Sequence, residues 1–101
     1  FTLADYVAAE IMSAGQAEIL SRAVADRRNI LVAGGTSTGK TTLINALLAE
    51  VSKTCDRVVL IEDTRELQCA APNLVAMRTQ AGVASLSDLV RSSLRLRPDR
   101  I

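Results

Sequence analysis

The residues Gly34-Gly35-Thr36-Ser37-Thr38-Gly39-Lys40-Thr41 carry the G-x-x-x-x-G-K-[ST] spacing of a phosphate-binding loop. Each residue type in that spacing has a chemical reason. Glycines let the chain fold back so that successive backbone N–H groups converge on phosphate oxygens. A helix starting behind the loop adds its positive dipole end and its unpaired N–H groups. Lys40 offers a mobile charge to the β- and γ-phosphates, and Thr41 offers a hydroxyl to Mg²⁺. Thr42 is a further candidate, through its hydroxyl, for the α-phosphate. The spacing carries this meaning only between a strand and a helix. Both flanks fit, with the apolar run Ile30-Leu31-Val32-Ala33 ahead and an apolar helical pattern beginning at Thr42 behind. A nucleoside triphosphate is the expected ligand.

Binding is not yet hydrolysis, which needs a carboxylate near the terminal phosphate. Glu62 and Asp63 are the candidates, two adjacent acids closing the apolar run Val58-Val59-Leu60-Ile61. Such a pair is costly at the end of a buried strand unless it faces solvent, a cation or a metal. The alternative is that the acids cap the strand and pair with Arg65 or Arg57. Glu62 is preferred as the group that orients water. Arg65 and Arg78 are surface arginines unless they reach phosphate or a subunit boundary. Other chemistries fare worse. A GTPase would show D-x-x-G after the second strand, and Asp63-Thr64-Arg65-Glu66 has no glycine. The chain has no histidine, and Cys55 and Cys69 lie far apart, so a zinc site is excluded. A small-molecule kinase stays open.

The elements that must position these groups follow from periodicity. Residues 2–12 look helical, with Thr2 and Asp5 as a capping pair. Ser13 with Gln16 forms a second capping box, followed by Ala17, Leu20, Ala23 and Val24 at helical spacing. Behind the loop, Leu43, Ile44, Leu47, Leu48 and Val51 give a broad apolar face suited to packing on a sheet. Val58 to Ile61 reads as a strand buried on both faces, which places Glu62 and Asp63 at the ligand-binding edge of an open α/β sheet. Residues 64–73 read as an irregular loop and Leu74 to Thr79 as a short strand. Ser85 with Asp88 starts another helix, carrying Leu86, Leu89, Val90 and Leu94, which Pro98 stops. Arg100-Ile101 enters a third core strand. The organisation is a three-layer α/β domain with a mostly parallel sheet.

Composition agrees with a globular domain: 101 residues, 49% hydrophobic and 23% charged. A net charge of +1 gives no polyanion-binding character, and Arg91, Arg95, Arg97 and Arg100 read as a solvated helix face. With Phe1 and Tyr6 the only aromatics, base-stacking platforms are not expected either. No run has the length of a membrane span and no signal peptide is visible. Free thiols suggest a reducing, cytosolic setting. Without an initiator methionine, and with a strand just beginning at Ile101, the sequence reads as an excerpt from a longer protein.

Four segments taken in order resemble a known family: GGTSTGKTTLINALL, DRVVLIEDTRELQC, APNLVAMRT and GVASLSDLVRSSLRLRPDRI. They resemble the type II/IV secretion ATPases, within them the TrbB-type conjugal transfer branch, over nearly the whole chain. In that family the segment matching Ile61 to Glu66 is the acidic Asp box, and Leu94 to Ile101 leads into the Walker B strand. The resemblance implies that residues 1–101 are part of a RecA-like P-loop NTPase domain, from the helices preceding the loop to the start of the Walker B strand. It implies a homo-hexameric ATPase using ATP and Mg²⁺, cytoplasmic and peripheral to the bacterial inner membrane. Its partners would be other components of a type IV secretion or conjugation apparatus, with pilus assembly or substrate translocation as the work. No sequence-specific nucleic-acid binding is expected. Gly34, Gly35, Thr36, Ser37, Thr38, Gly39, Lys40, Thr41 and Thr42 would hold the nucleotide, and Thr41 with Asp63 the metal. Lys40, Glu62 and Asp63 would carry catalysis. The Walker B acid, the histidine box and the family's N-terminal domain lie outside these residues. Residues 1–101 alone are therefore expected to turn over no ATP, and a non-catalytic piece that binds nucleotide or partners is the other alternative.

Overall fold

A computed structural model describes residues 1–64 and 66–101, so the roles weighed for Arg65 lie outside the described residues. Helix α1 spans Leu3–Ala8, α2 Ala14–Ala25 and α3 Lys40–Val51; strands β1 Val58–Glu62 and β2 Leu74–Arg78 follow, then α4 Leu86–Ser93 and a 3-10 turn over Leu94–Leu96.

The helix starts obey their local chemistry. Thr2 accepts from the Asp5 N–H at 3.2 Å while the Asp5 carboxylate accepts from the Thr2 N–H at 2.8 Å. Ser13 with Gln16 and Ser85 with Asp88 repeat the same reciprocal arrangement at α2 and α4. Helix α1 is shorter than the expected 2–12. Glu10 takes a positive φ of 60°, and the Tyr6 carbonyl then accepts from both Ile11 and Met12 N–H groups, folding the chain back towards α2. Helix α3 starts at Lys40, two residues before the apolar pattern at Thr42, because Gly39 supplies the left-handed turn that lets it begin there.

Strands β1 and β2 are parallel, in a register that pairs Val58 with Leu74 and Glu62 with Arg78. Val58 and Leu60 project to one face, where they join Val24, Ala46, Leu47 and Val51 in the core. By alternation Val59 projects to the other face. Val59 is buried, as is Ser93 of α4, a helix that packs against both strands. A parallel pair needs a long crossover, and its described residues, 63–64 and 66–73, are irregular and are bonded to α3 through Asn45.

The sheet is smaller than expected. Among the described residues it has two strands, and Ile30 to Ala33 is not one of them. Leu31 is 90% exposed. No backbone hydrogen bond joins this segment to β1 among the described residues, and Ile30 and Val32 instead line a groove of about 520 Å³ shared with Leu47, Val51, Val58, Leu60 and Ile101. The expected third strand at Arg100-Ile101 is reduced to one parallel bridge, Val58 with Arg100, in which the Val59 N–H donates to the Arg100 carbonyl at 2.9 Å.

The base of the sheet is held by charge. Asp56, just before β1, accepts from Arg27 Nη2 at 2.5 Å and from Arg100 Nε at 2.7 Å. Arg100 also donates to the Val24 carbonyl, joining the end of α2 to the start of β1. The Arg27 hydrogen bond first, and the Arg100 bond with it, hold the Asp56 carboxyl below the ordinary carboxylate range.

Candidate functional site

The loop between residue 33 and α3 is closed on itself by short-range geometry. Ser37 and Gly39 take positive φ values of 60° and 88°, which the glycine adopts without strain and the serine against its Cβ. Thr38 Oγ1 donates to the Gly35 carbonyl at 2.7 Å. A Cβ on Gly34 would lie 2.7 Å from that same hydroxyl, so the first position of the loop is glycine by close approach rather than by φ. Lys40 reaches back over the loop, its Nζ donating to the carbonyls of Gly34 at 2.5 Å and Gly35 at 2.7 Å. The ammonium is thus held against the backbone of the residues expected to wrap phosphate.

Capping sets α3 apart. Its N-cap is Gly39, which has no side chain to cap it, whereas α1, α2 and α4 each carry a reciprocal capping box. Helix α3 therefore presents its positive end uncapped at the loop.

Both acids of the pair are engaged at the end of β1. Glu62 Oε2 accepts from the backbone N–H groups of Glu66 at 2.9 Å and Leu67 at 3.0 Å, so this carboxylate pins the loop that follows its own strand. Asp63 Oδ1 accepts from Thr79 Oγ1 at 2.8 Å, tying the end of β1 to the residue after β2. Neither acid forms an ion pair among the described residues. Arg57, one proposed partner, stands at the opposite end of β1, its N–H donating to Asp99. Arg78 is exposed on β2 in register with Glu62.

The acid that meets the loop is Glu66, whose Oε2 accepts from Thr41 Oγ1 at 3.2 Å. Sequence reasoning passed over it because it lay in an irregular stretch beyond the obvious acid pair. A signal was present: Asn45 follows Thr41 by one helical turn on the same face, and Asn45 bonds to the backbone of Glu66 and Gln68. Thr42 is exposed and faces a separate surface hollow with Asn45 and Gln68.

The donor set fits Mg²⁺. A threonine hydroxyl and a carboxylate are hard oxygen ligands, and Mg²⁺ draws most of its shell from water and phosphate rather than from a protein cage. Among the described residues no three His, Cys, Asp or Glu side chains gather as a cage would require.

Fold and loop together define a small α/β protein with a parallel sheet and a phosphate-loop sequence ahead of an uncapped helix. The family model described as type II/IV secretion system protein matches residues 1–101, and the chain belongs to that family. It is similar to the conjugal transfer protein TrbB of Rhizobium radiobacter, 46% identical over 98% of this chain and 31% of the relative. It is also 46% identical to the type IV secretion system protein VirB11 of Bartonella quintana, over 81% of this chain and 24% of that protein. The type IV secretion system protein PtlH of Bordetella pertussis is 43% identical over 83% of this chain and 26% of its own length. The chain thus spans about 31% of the first of these relatives.

Proposed function

We propose that these residues are the nucleotide-binding part of an ATPase that powers type IV secretion or conjugative transfer. The observation that carries the reading is the meeting of three groups at the start of α3: the Lys40 ammonium folded over the loop, the Thr41 hydroxyl, and the Glu66 carboxylate bonded to it. Family membership and the similarity to TrbB and VirB11 support the setting.

In this reading Gly34 to Gly39 wrap the phosphates of ATP with backbone N–H groups, and the uncapped end of α3 adds its dipole. Lys40 leaves the Gly34 and Gly35 carbonyls to neutralise the β- and γ-phosphates. Thr41 would hold Mg²⁺, which would supply positive charge to the terminal phosphates. Glu66 takes the water-orienting role first expected of Glu62, because Glu62 is engaged with the backbone and Glu66 faces Thr41. Asp63 secures the end of β2 through Thr79.

The finer architecture belongs to the same proposal. A strand continuing from Arg100 along the groove beside Val58 and Leu60 would pair with β1 and bring Ile30 to Ala33 into one sheet. The product is the three-layer, RecA-like P-loop core that the sequence suggests. Assembly as a homo-hexamer, with other secretion components at the cytoplasmic face of the inner membrane, completes the reading. No helix among the described residues is long and apolar enough to cross a membrane.

The test is steady-state hydrolysis by the full-length protein carrying Glu66→Gln. Volume is kept and charge removed, so turnover should fall by about a hundredfold or more with Mg-ATP affinity retained. Unchanged turnover would overturn the assignment of Glu66.

A further inference from the structure

Asn45 uses both ends of its side-chain amide. Its Nδ2 donates to the Glu66 carbonyl at 3.3 Å, and its Oδ1 accepts the Gln68 N–H at 2.8 Å. From the strand side, Glu62 Oε2 accepts the Glu66 N–H at 2.9 Å and the Leu67 N–H at 3.0 Å. The backbone of Glu66 is therefore held through both of its polar groups, the N–H by β1 and the carbonyl by α3.

That arrangement matters because Glu66 is exposed and lies on a loop with no ladder of its own. An acid in such a place has many backbone and rotamer states open to it, and selecting one has an entropic cost. The two pins restrict the backbone, leaving the carboxylate to find Thr41 Oγ1 at 3.2 Å. Asn45 and Thr41 lie on one face of one helix, so the group that places Glu66 moves rigidly with the group that Glu66 meets. A glutamine or serine at position 45 would not reproduce both bonds at that distance from the helix axis.

We propose that Asn45 is a positioning residue for hydrolysis: it fixes the loop so that the Glu66 carboxylate stands over the Thr41 hydroxyl. The inference rests on the reading that Glu66 orients the attacking water, and it makes a claim of its own, that Asn45 acts through Glu66. Both polar ends of the Asn45 side chain are bonded to the backbone of the loop after β1, which leaves it no part in holding phosphate or metal in this reading. Its loss should alter the chemical step and leave nucleotide capture by the phosphate loop as it was.

The experiment is a double-mutant cycle in the full-length protein, with Asn45→Ala, Glu66→Gln and the pair, reading kcat and KM for Mg-ATP. Alanine is the better helix former, so α3 itself should not suffer. Asn45→Ala should lower kcat by about tenfold to a hundredfold, the scale of a small misplacement of a reacting group. KM should stay within about threefold, as for a group that acts on the chemical step alone. In the Glu66→Gln background the same substitution should have almost no further effect. If Asn45→Ala slows both backgrounds equally, or raises KM with kcat unchanged, it does not act through Glu66 and the inference fails. If Asn45→Ala leaves kcat at the wild-type value while Glu66→Gln abolishes turnover, the inference fails and the role of Glu66 survives. If Glu66→Gln itself leaves kcat unchanged, both fall.

Discussion

Thr41 and Glu66 stand 25 residues apart in the chain and meet through a 3.2 Å hydrogen bond, hydroxyl to carboxylate. The bond joins the first turn of α3 to the loop after β1, and it brings two oxygen ligands of the kind Mg²⁺ prefers to one place. Thr41→Ala in the full-length protein should raise the Mg²⁺ concentration needed for half-maximal ATP hydrolysis by about tenfold or more, since one metal ligand is lost. A magnesium titration of the hydrolysis rate checks it. An unchanged midpoint would remove Thr41 from the metal site.

The loop makes different demands on its glycines. At Gly39, with φ of 88°, alanine would carry a left-handed strain of roughly 1–2 kcal/mol. At Gly34, alanine would place a Cβ 2.7 Å from Thr38 Oγ1 and push that hydroxyl off the Gly35 carbonyl. Both substitutions should weaken Mg-ATP binding. Gly35→Ala, whose Cβ would meet Thr38 at an ordinary 3.8 Å, should perturb the loop least. Equilibrium titrations with a fluorescent ATP analogue give the ranking, and a Gly35 variant worse than the other two would contradict it.

What the sequence made legible was mostly local. The capping pairs Thr2 with Asp5, Ser13 with Gln16 and Ser85 with Asp88 all formed, because each relationship closes within four residues. The run Val58 to Ile61 became a strand because apolar continuity suffices for a strand buried on both faces, and the segment from Leu74 became its more exposed parallel partner. Ile30 to Ala33 carried the same signal without becoming one. A pattern of side chains announces strand character, but the ladder depends on a neighbouring backbone that no local pattern reports. Glu66 was hidden for a related reason. Its place is decided by Asn45 and Glu62, reached through backbone atoms that look alike in every residue. Glu62 drew attention by ending an apolar run, and in the structure its carboxylate accepts from the Glu66 and Leu67 N–H groups.

At the far end of the sheet, Asp56 bridges Arg27 and Arg100. Its folded pKa lies below the ordinary aspartate value, held there by the Arg27 and Arg100 hydrogen bonds. The stabilisation is therefore complete above the unfolded value of about 3.9 and is lost as pH falls through the folded one. The stability difference between wild type and D56N should be constant from about pH 7 to 5 and shrink below about pH 4. Denaturant melts across that range test it, and a difference that grows on acidification would contradict the assignment.

The central claim is that residues 34–41 hold the terminal phosphates of ATP, and Lys40 is the residue on which it depends most. Each charge-assisted contact of its ammonium with phosphate is worth roughly 1.5–3 kcal/mol. The measurement is ATP hydrolysis by the full-length protein with and without Lys40→Ala, alongside Mg-ATP affinity and a thermal melt. The account predicts no turnover, affinity weakened by about tenfold or more, and an unchanged melting temperature. Wild-type hydrolysis by the Lys40→Ala protein would contradict it.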